Sequence, residues 1–224
     1  MFIKSKANVV LALIIFITAS TAVAGGIKVL APLDGANMPS KDIVIIGSVS
    51  SDAKEVVIKG TAGDPIKVKV DHGAFFAKVK LGADKNELAI SSDDGSSVTL
   101  KINVSNENNF NYHPDIDELS DCTSTCHTEV SSKGYVNKRA AAICYECHDA
   151  NNEKEFVHGP VNLGICEVCH TPHGSSHSGF LVMDKNDLCS GCHESLIEKH
   201  PETANKICVD CHDPHSSDKE FHIK

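Results

Sequence analysis

The sequence predicts an all-β sandwich followed by a second domain of little regular secondary structure, mostly short helices and loops. Three observations carry this. Apolar and polar residues alternate through the first part of the chain, in short runs set off by turn residues. The composition breaks sharply near residue 106, which reads as a domain boundary. Aromatic residues make up only 5% of the chain and Trp is absent, so one part of the protein lacks an ordinary core.

Residues 1–24 read as an export signal. Lys4 and Lys6 form a short basic start, Val9 to Thr18 is almost wholly apolar, and Ala22-Val23-Ala24 is a small-x-small cleavage site. The apolar run is short for a membrane span, so no stable span is expected after cleavage. No Cys follows the cleavage site to carry a lipid. The mature protein is expected in the periplasm, outside the cell or at its surface.

Residues 25–106 form the expected sandwich. Alternation runs through Ile27-Lys28-Val29-Leu30, Ile43-Val44-Ile45-Ile46, Val56-Val57-Ile58, Ile66 to Val70, Phe75 to Leu81, Glu87 to Ile90 and Val98 to Val104. Asp34-Gly35, Gly63-Asp64-Pro65, His72-Gly73 and Asp93-Asp94-Gly95 punctuate it. About seven short strands at this spacing imply an antiparallel sandwich. The opening Val29-Leu30-Ala31-Pro32-Leu33-Asp34-Gly35-Ala36 resembles the first strand of bacterial Ig-like modules. The resemblance implies an Ig-like domain, here without a chemical motif, that serves as a docking or spacer module.

Charge separates the halves. Gly25 to Ser105 holds 10 Lys and 10 Asp+Glu, a net charge of zero, while Asn106 to Lys224 holds 9 Lys+Arg and 20 Asp+Glu, a net of −11. An acidic surface of this kind argues against nucleic-acid binding and favours a basic partner.

Residues 107–224 carry the chemistry. The ten cysteines form five pairs, each followed at once by His: Cys122/Cys126/His127, Cys144/Cys147/His148, Cys166/Cys169/His170, Cys189/Cys192/His193 and Cys208/Cys211/His212. Four pairs enclose two residues and the first encloses three. On one helical turn, side chains at i and i+3 point the same way. Two thiols then reach the two vinyl groups of one haem, and the adjacent imidazole reaches the iron. A zinc knuckle needs further ligands but no His after the second Cys. A disulfide scaffold leaves the five His unexplained. Haem c, five per chain, is therefore expected, with His127, His148, His170, His193 and His212 as proximal ligands. At the expanded first motif a disulfide or a single thioether is the alternative.

A repeat surrounds these motifs. Cys166-Glu-Val-Cys169-His170-Thr-Pro-His173 is matched by Cys208-Val-Asp-Cys211-His212-Asp-Pro-His215. His158 and His200 each precede such a motif by eight residues, and His113 stands nine before the first. Over residues 112–224 the pattern resembles the doubled Cys-x-x-Cys-His family of multihaem c-type cytochromes. In that family the His after Pro serves as a distal ligand to a neighbouring haem. The resemblance implies distal ligation by His113, His158, His173, His200 and His215. His72, His177 and His222 are expected as exposed histidines. Of the methionines beyond the signal, Met38 is expected in the sandwich and Met183 as a core side chain.

Five haems leave about 23 residues apiece, too few for a core of the usual scale, so the porphyrins are expected to serve as the core. Two imidazoles per iron leave no open position. The expected function is electron transfer, without catalysis at the metal, to redox partner proteins such as other cytochromes. A subunit of a cytochrome filament or other homo-oligomer is the alternative. A multihaem reductase is a further one, although no Cys-x-x-Cys-Lys motif is present.

Overall fold

The computed structural model describes residues 26–106, 110–113, 117–131, 134–135, 139–197 and 206–224. The expected export signal and His200 lie outside the described residues. No helix among those described is long and apolar enough to cross a membrane.

Eight strands occupy the first half: β1 (Lys28–Ala31), β2 (Ala36–Met38), β3 (Asp42–Ser48), β4 (Glu55–Lys59), β5 (Ile66–Lys69), β6 (Ala74–Lys80), β7 (Lys85–Ser92) and β8 (Ser97–Val104). They form a three-stranded sheet of order β1-β3-β6 and a five-stranded sheet of order β2-β8-β7-β4-β5. Inward residues alternate with outward ones along β6 and β8, as a half-buried strand requires. Ile45 and Phe75 from the first sheet and Ile58, Leu88 and Leu100 from the second meet in one buried cluster. Seven of the strands follow the predicted runs. The eighth, β2, is new, and it pairs parallel to β8 in an otherwise antiparallel arrangement. It has three residues, of which only Met38 is fully buried, so it carries no alternation to read.

The core continues past the polar stretch after Ser105. Phe110 is buried in the same cluster, and Tyr112 in β9 (Asn111–Tyr112) reaches back to β3. Its hydroxyl accepts from Val44 N–H at 2.9 Å and donates to Val44 C=O at 2.6 Å. These groups lie beyond the end of β1, whose Ala31 faces Ile46. The Tyr112 hydroxyl thus closes a sheet edge that no strand covers.

The second half is built of small pieces. Helices α1 (Leu119–Asp121), α2 (Ala140–Cys144), α3 (Gly159–Asn162) and α4 (Lys185–Ile197) alternate with two-residue strands: β10 (Val130–Ser131), β11 (Gly134–Tyr135), β12 (Phe156–Val157), β13 (Gly174–Ser175) and β14 (Ser216–Ser217). Every buried hydrophobic side chain among the described residues lies at or before Phe110. Beyond it the buried side chains are Thr171, Ser175, Ser216 and Ser217. Met183, expected in a core, is 43% exposed. Among the described residues this half has no apolar core of its own for that side chain to enter.

Candidate haem-attachment sites

Each described Cys-x-x-Cys-His segment closes on itself through its backbone. The amides of His148, His170 and His212 donate to the carbonyls of Cys144, Cys166 and Cys208 at 2.9, 3.0 and 3.0 Å. These are i→i+4 bonds, and each brings the imidazole back beside the first thiol. The expanded first motif reaches the same closure by a wider turn. Residues Cys122–Cys126 form one π-helical turn, and His127 N–H donates to Cys122 C=O at 2.7 Å across five residues. The extra residue is absorbed without displacing His127. The fourth motif lies in α4, whose helical backbone breaks at His193 (φ −112°, ψ 24°). All ten cysteines are unbonded to one another.

Consecutive motifs are neighbours in space. The thiols of Cys144 and Cys166 lie close enough to act on each other, and so do those of Cys189 and Cys208. Cys126 lies within electrostatic reach of Cys147, and Cys169 of Cys192. Burial first, then these neighbouring thiols, pushes Cys144 and Cys189 up to about 11. The contacts thus run in chain order, alternately through second and first cysteines.

Four of the imidazoles that follow the motifs are seen facing a second one. His127 and His173 stand 6.3 Å apart between ring centres with planes 3° from parallel. His170 and His215 stand 6.1 Å apart at 12°. His113 and His148 are 6.2 Å apart at 73°, and His158 and His193 are 5.8 Å apart at 32°. A metal ion bound by two opposed imidazoles, at about 2.0–2.1 Å per nitrogen and about 1.1 Å more to each ring centre, separates those centres by about 6.3 Å. Three observed spacings lie within about 0.2 Å of that value and the fourth, at 5.8 Å, is shorter, so the residues fit an iron held between them. Among the described residues, no group of three or more His, Cys, Asp and Glu side chains converges as a metal-only site would need.

Two small ladders deliver the second imidazoles. Strand β13, just after His173, pairs antiparallel with β9, just before His113. Strand β14, just after His215, pairs the same way with β12, just before His158. The amide of His113 donates to His173 C=O at 3.4 Å, and that of His158 to His215 C=O at 2.9 Å. Each ladder therefore carries two imidazoles side by side. The β9–β13 ladder serves His148 and His127, and the β12–β14 ladder serves His193 and His170.

The third and fifth motifs share a further device. The chain turns through left-handed backbone at Gly179 and Phe180 (φ 71° and 54°), and again at Phe221 and His222 (both 58°). Each turn aims a carbonyl at the imidazole nine residues upstream. His170 Nδ1 lies 2.7 Å from Gly179 O, and His212 Nδ1 lies 2.8 Å from Phe221 O. A carbonyl only accepts, so Nδ1 carries the proton and Nε2 is left as the metal-binding nitrogen. Ser175 Oγ and Ser217 Oγ tie the same turns by donating to Leu181 O and Ile223 O at 2.6 and 2.5 Å. Burial first, then nearby His127 and His113, holds His173 down to about 4, which keeps its ring neutral and able to ligate.

Two histidines expected at the surface are now placed. His177 is exposed, and His72 sits half-exposed in its turn. The third, His222, is half-buried with its ring 5.6 Å from that of His158. It holds the place that Phe180 holds against His113, at 5.5 Å. Alignment of the two copies beyond Pro-His would have paired Phe180 with His222 in the sequence.

No curated protein matches the chain. Two solved structures share short stretches with it at 15% identity. An engineered protein covers 36% of this chain with a TM-score of 0.30, and a modular endo-β-1,4-mannanase from Cellulomonas fimi covers 36% with a TM-score of 0.29. The chain spans only 20% and 18% of their lengths. Residues 158–198 match the family model of the doubled CXXCH motif. That stretch, less than half of the chain, contains His158, two complete attachment motifs and His173. Across it the chain is similar to multihaem c-type cytochromes, and its CXXCH motifs mark covalent binding of haem c.

Proposed function

We propose that this chain is an electron-transfer cytochrome carrying five bis-histidine haems c, exported to the periplasm or cell surface. Bound haem supplies one-electron exchange between ferrous and ferric iron. The chain's own residues do the rest. Cys122 and Cys126, Cys144 and Cys147, Cys166 and Cys169, Cys189 and Cys192, and Cys208 and Cys211 anchor the porphyrins. His127, His148, His170, His193 and His212 are the proximal ligands. His173, His113, His215 and His158 are the distal ligands of the first four irons in that order, leaving His200 for the fifth.

The carrying observation is the set of four imidazole pairs at 5.8–6.3 Å, each joining one motif to one His outside it. An iron closed on both faces offers no position to a substrate, so the role is transfer rather than catalysis at the metal. Spatial contact of the motifs in chain order supports a single conducting line from the first to the fifth. The acidic haem-bearing half favours a basic redox partner, met through a salt-sensitive encounter. The β-sandwich, read as Ig-like, docks or places this line.

The test is a pyridine haemochrome count combined with electron paramagnetic resonance of the oxidised protein. Five haems per chain, all low-spin, are expected. A count of four removes the first motif from the assignment, and a high-spin ferric signal in the native protein refutes the closed-iron reading.

A further inference from the structure

The third and fifth motifs hold their imidazoles with a carbonyl on Nδ1, and the first is held differently. After His127 the described chain runs through Thr128 and Glu129 into β10 without left-handed backbone. The Nδ1 of His127 is buried and has no hydrogen-bond partner. What meets the ring is aromatic. Tyr135, from β11, lies 5.3 Å from His127 at 38°, and its hydroxyl is also buried without a partner. Tyr135 in turn meets His72 at 5.9 Å and 44°. His72 belongs to the β-sandwich, in the turn between β5 and β6.

That turn is built to present a ring. His72 adopts left-handed backbone (φ 49°), unfavourable for a residue with a Cβ. Its Nδ1 lies 2.8 Å from Asp71 Oδ1, which sets the direction of the ring. The β10–β11 hairpin approaches the turn through Gly134 (φ 111°), where a Cβ would stand 2.9 Å from His72 O. A close backbone approach and a ring column therefore coincide at one point of the junction. The column runs Asp71, His72, Tyr135, His127, His173.

We propose that Tyr135 and His72 are positioning residues for His127, their tilted rings packed in series taking the place of the carbonyl that orients His170 and His212. On this view the β-sandwich is a structural part of the first haem site and not only a docking module. The proposal rests on His127 being an iron ligand.

The experiment uses the full-length holoprotein, three variants at the ring positions and a reference variant with Cys122 and Cys126 replaced by Ser. His72→Gly keeps the left-handed backbone and removes the ring. Tyr135→Leu removes the second ring, and Tyr135→Phe retains it. Haem count, electron paramagnetic resonance and a potentiometric titration are recorded for each. The expected result is five haems in all three ring variants. One low-spin signal and one titration step shift in His72→Gly and in Tyr135→Leu, and both are the ones lost when Cys122 and Cys126 are replaced by Ser. Tyr135→Phe keeps the wild-type spectrum. Wild-type signals in both ring-removal variants overturn the proposal, as does a Tyr135→Phe shift equal to that of Tyr135→Leu. Failure of the underlying haem reading is separate, since it appears as four haems in the unaltered protein.

Discussion

Gly174→Ala tests whether the two halves are one mechanical object. Gly174 lies at φ 155° in β13, and an added Cβ would stand 2.9 Å from Phe110 Cζ, 3.0 Å from Phe110 Cε1 and 3.0 Å from Asn111 O. None of these can yield freely. Phe110 is packed in the sandwich core and edge-on to Tyr112 at 5.0 Å, and Asn111 faces Ser175 across the β9–β13 ladder. Overpacking of this kind costs about 1–3 kcal/mol. A Cβ at this φ adds about 1 kcal/mol. For a domain the size of the sandwich each kcal/mol lowers Tm by about 4–8 °C, so a total of about 2–4 kcal/mol predicts a fall of roughly 8–32 °C. The assay is far-UV circular dichroism of the holoprotein on heating, with Gly26→Ala as control, since nothing lies within 4 Å of its added Cβ. The same variant should perturb the low-spin signal of the first iron, because His173 adjoins the lesion. A Tm within about 3 °C of wild type, with unchanged spectra, refutes the coupling of core and ladder.

Further outcomes follow from the same geometry. His173→Ala should leave five haems attached and convert one iron to high spin, read by the ligand-field bands and electron paramagnetic resonance. The ring angles themselves predict two rhombic low-spin signals, from the pairs at 3° and 12°, and one strongly anisotropic signal from the pair at 73°. Deleting Thr125 should turn the π-helical turn into an ordinary i→i+4 closure and preserve the attached haem, checked by intact mass. Tyr112 is raised to about 12, by burial first, against 10.0 unperturbed. Its contribution, on the order of 2 kcal/mol, is present below pH 10 and lost as pH rises through the folded value. Tyr112→Phe should abolish that part of the alkaline destabilisation in denaturant titrations.

Much of this arrangement was legible in the residues because period and spacing are local. Alternation located seven of the eight sandwich strands, and the Cys-Cys-His triplets located the attachment turns. The Pro-His repeat pointed to His173 and His215 and the upstream His repeat to His113 and His158, the four histidines whose rings face those of His127, His170, His148 and His193. The pairing was not legible, because it depends on ladders of two residues each. Val157 with Ser216 and Tyr112 with Gly174 carry no alternation and lie about 60 residues apart. Phe110 was hidden for a related reason, since a single aromatic after a polar linker shows no period. Met183 was misread because an apolar side chain was assumed to have a protein core to enter.

The two-residue ladders also impose an order on assembly. On the proposed pairing, the ligand for the second iron precedes its motif, as His113 precedes His148, and so does the ligand for the fourth, as His158 precedes His193. The first and third irons wait for residues still to come, His173 and His215. As the chain emerges from its N-terminus, the second site is complete first, then the first, the fourth, the fifth and the third. An iron attached at His127 or His170 therefore passes through an interval with one face unguarded, when another imidazole or a small ligand has access to it. A residue as far downstream as His215 is what closes a site begun at Cys166.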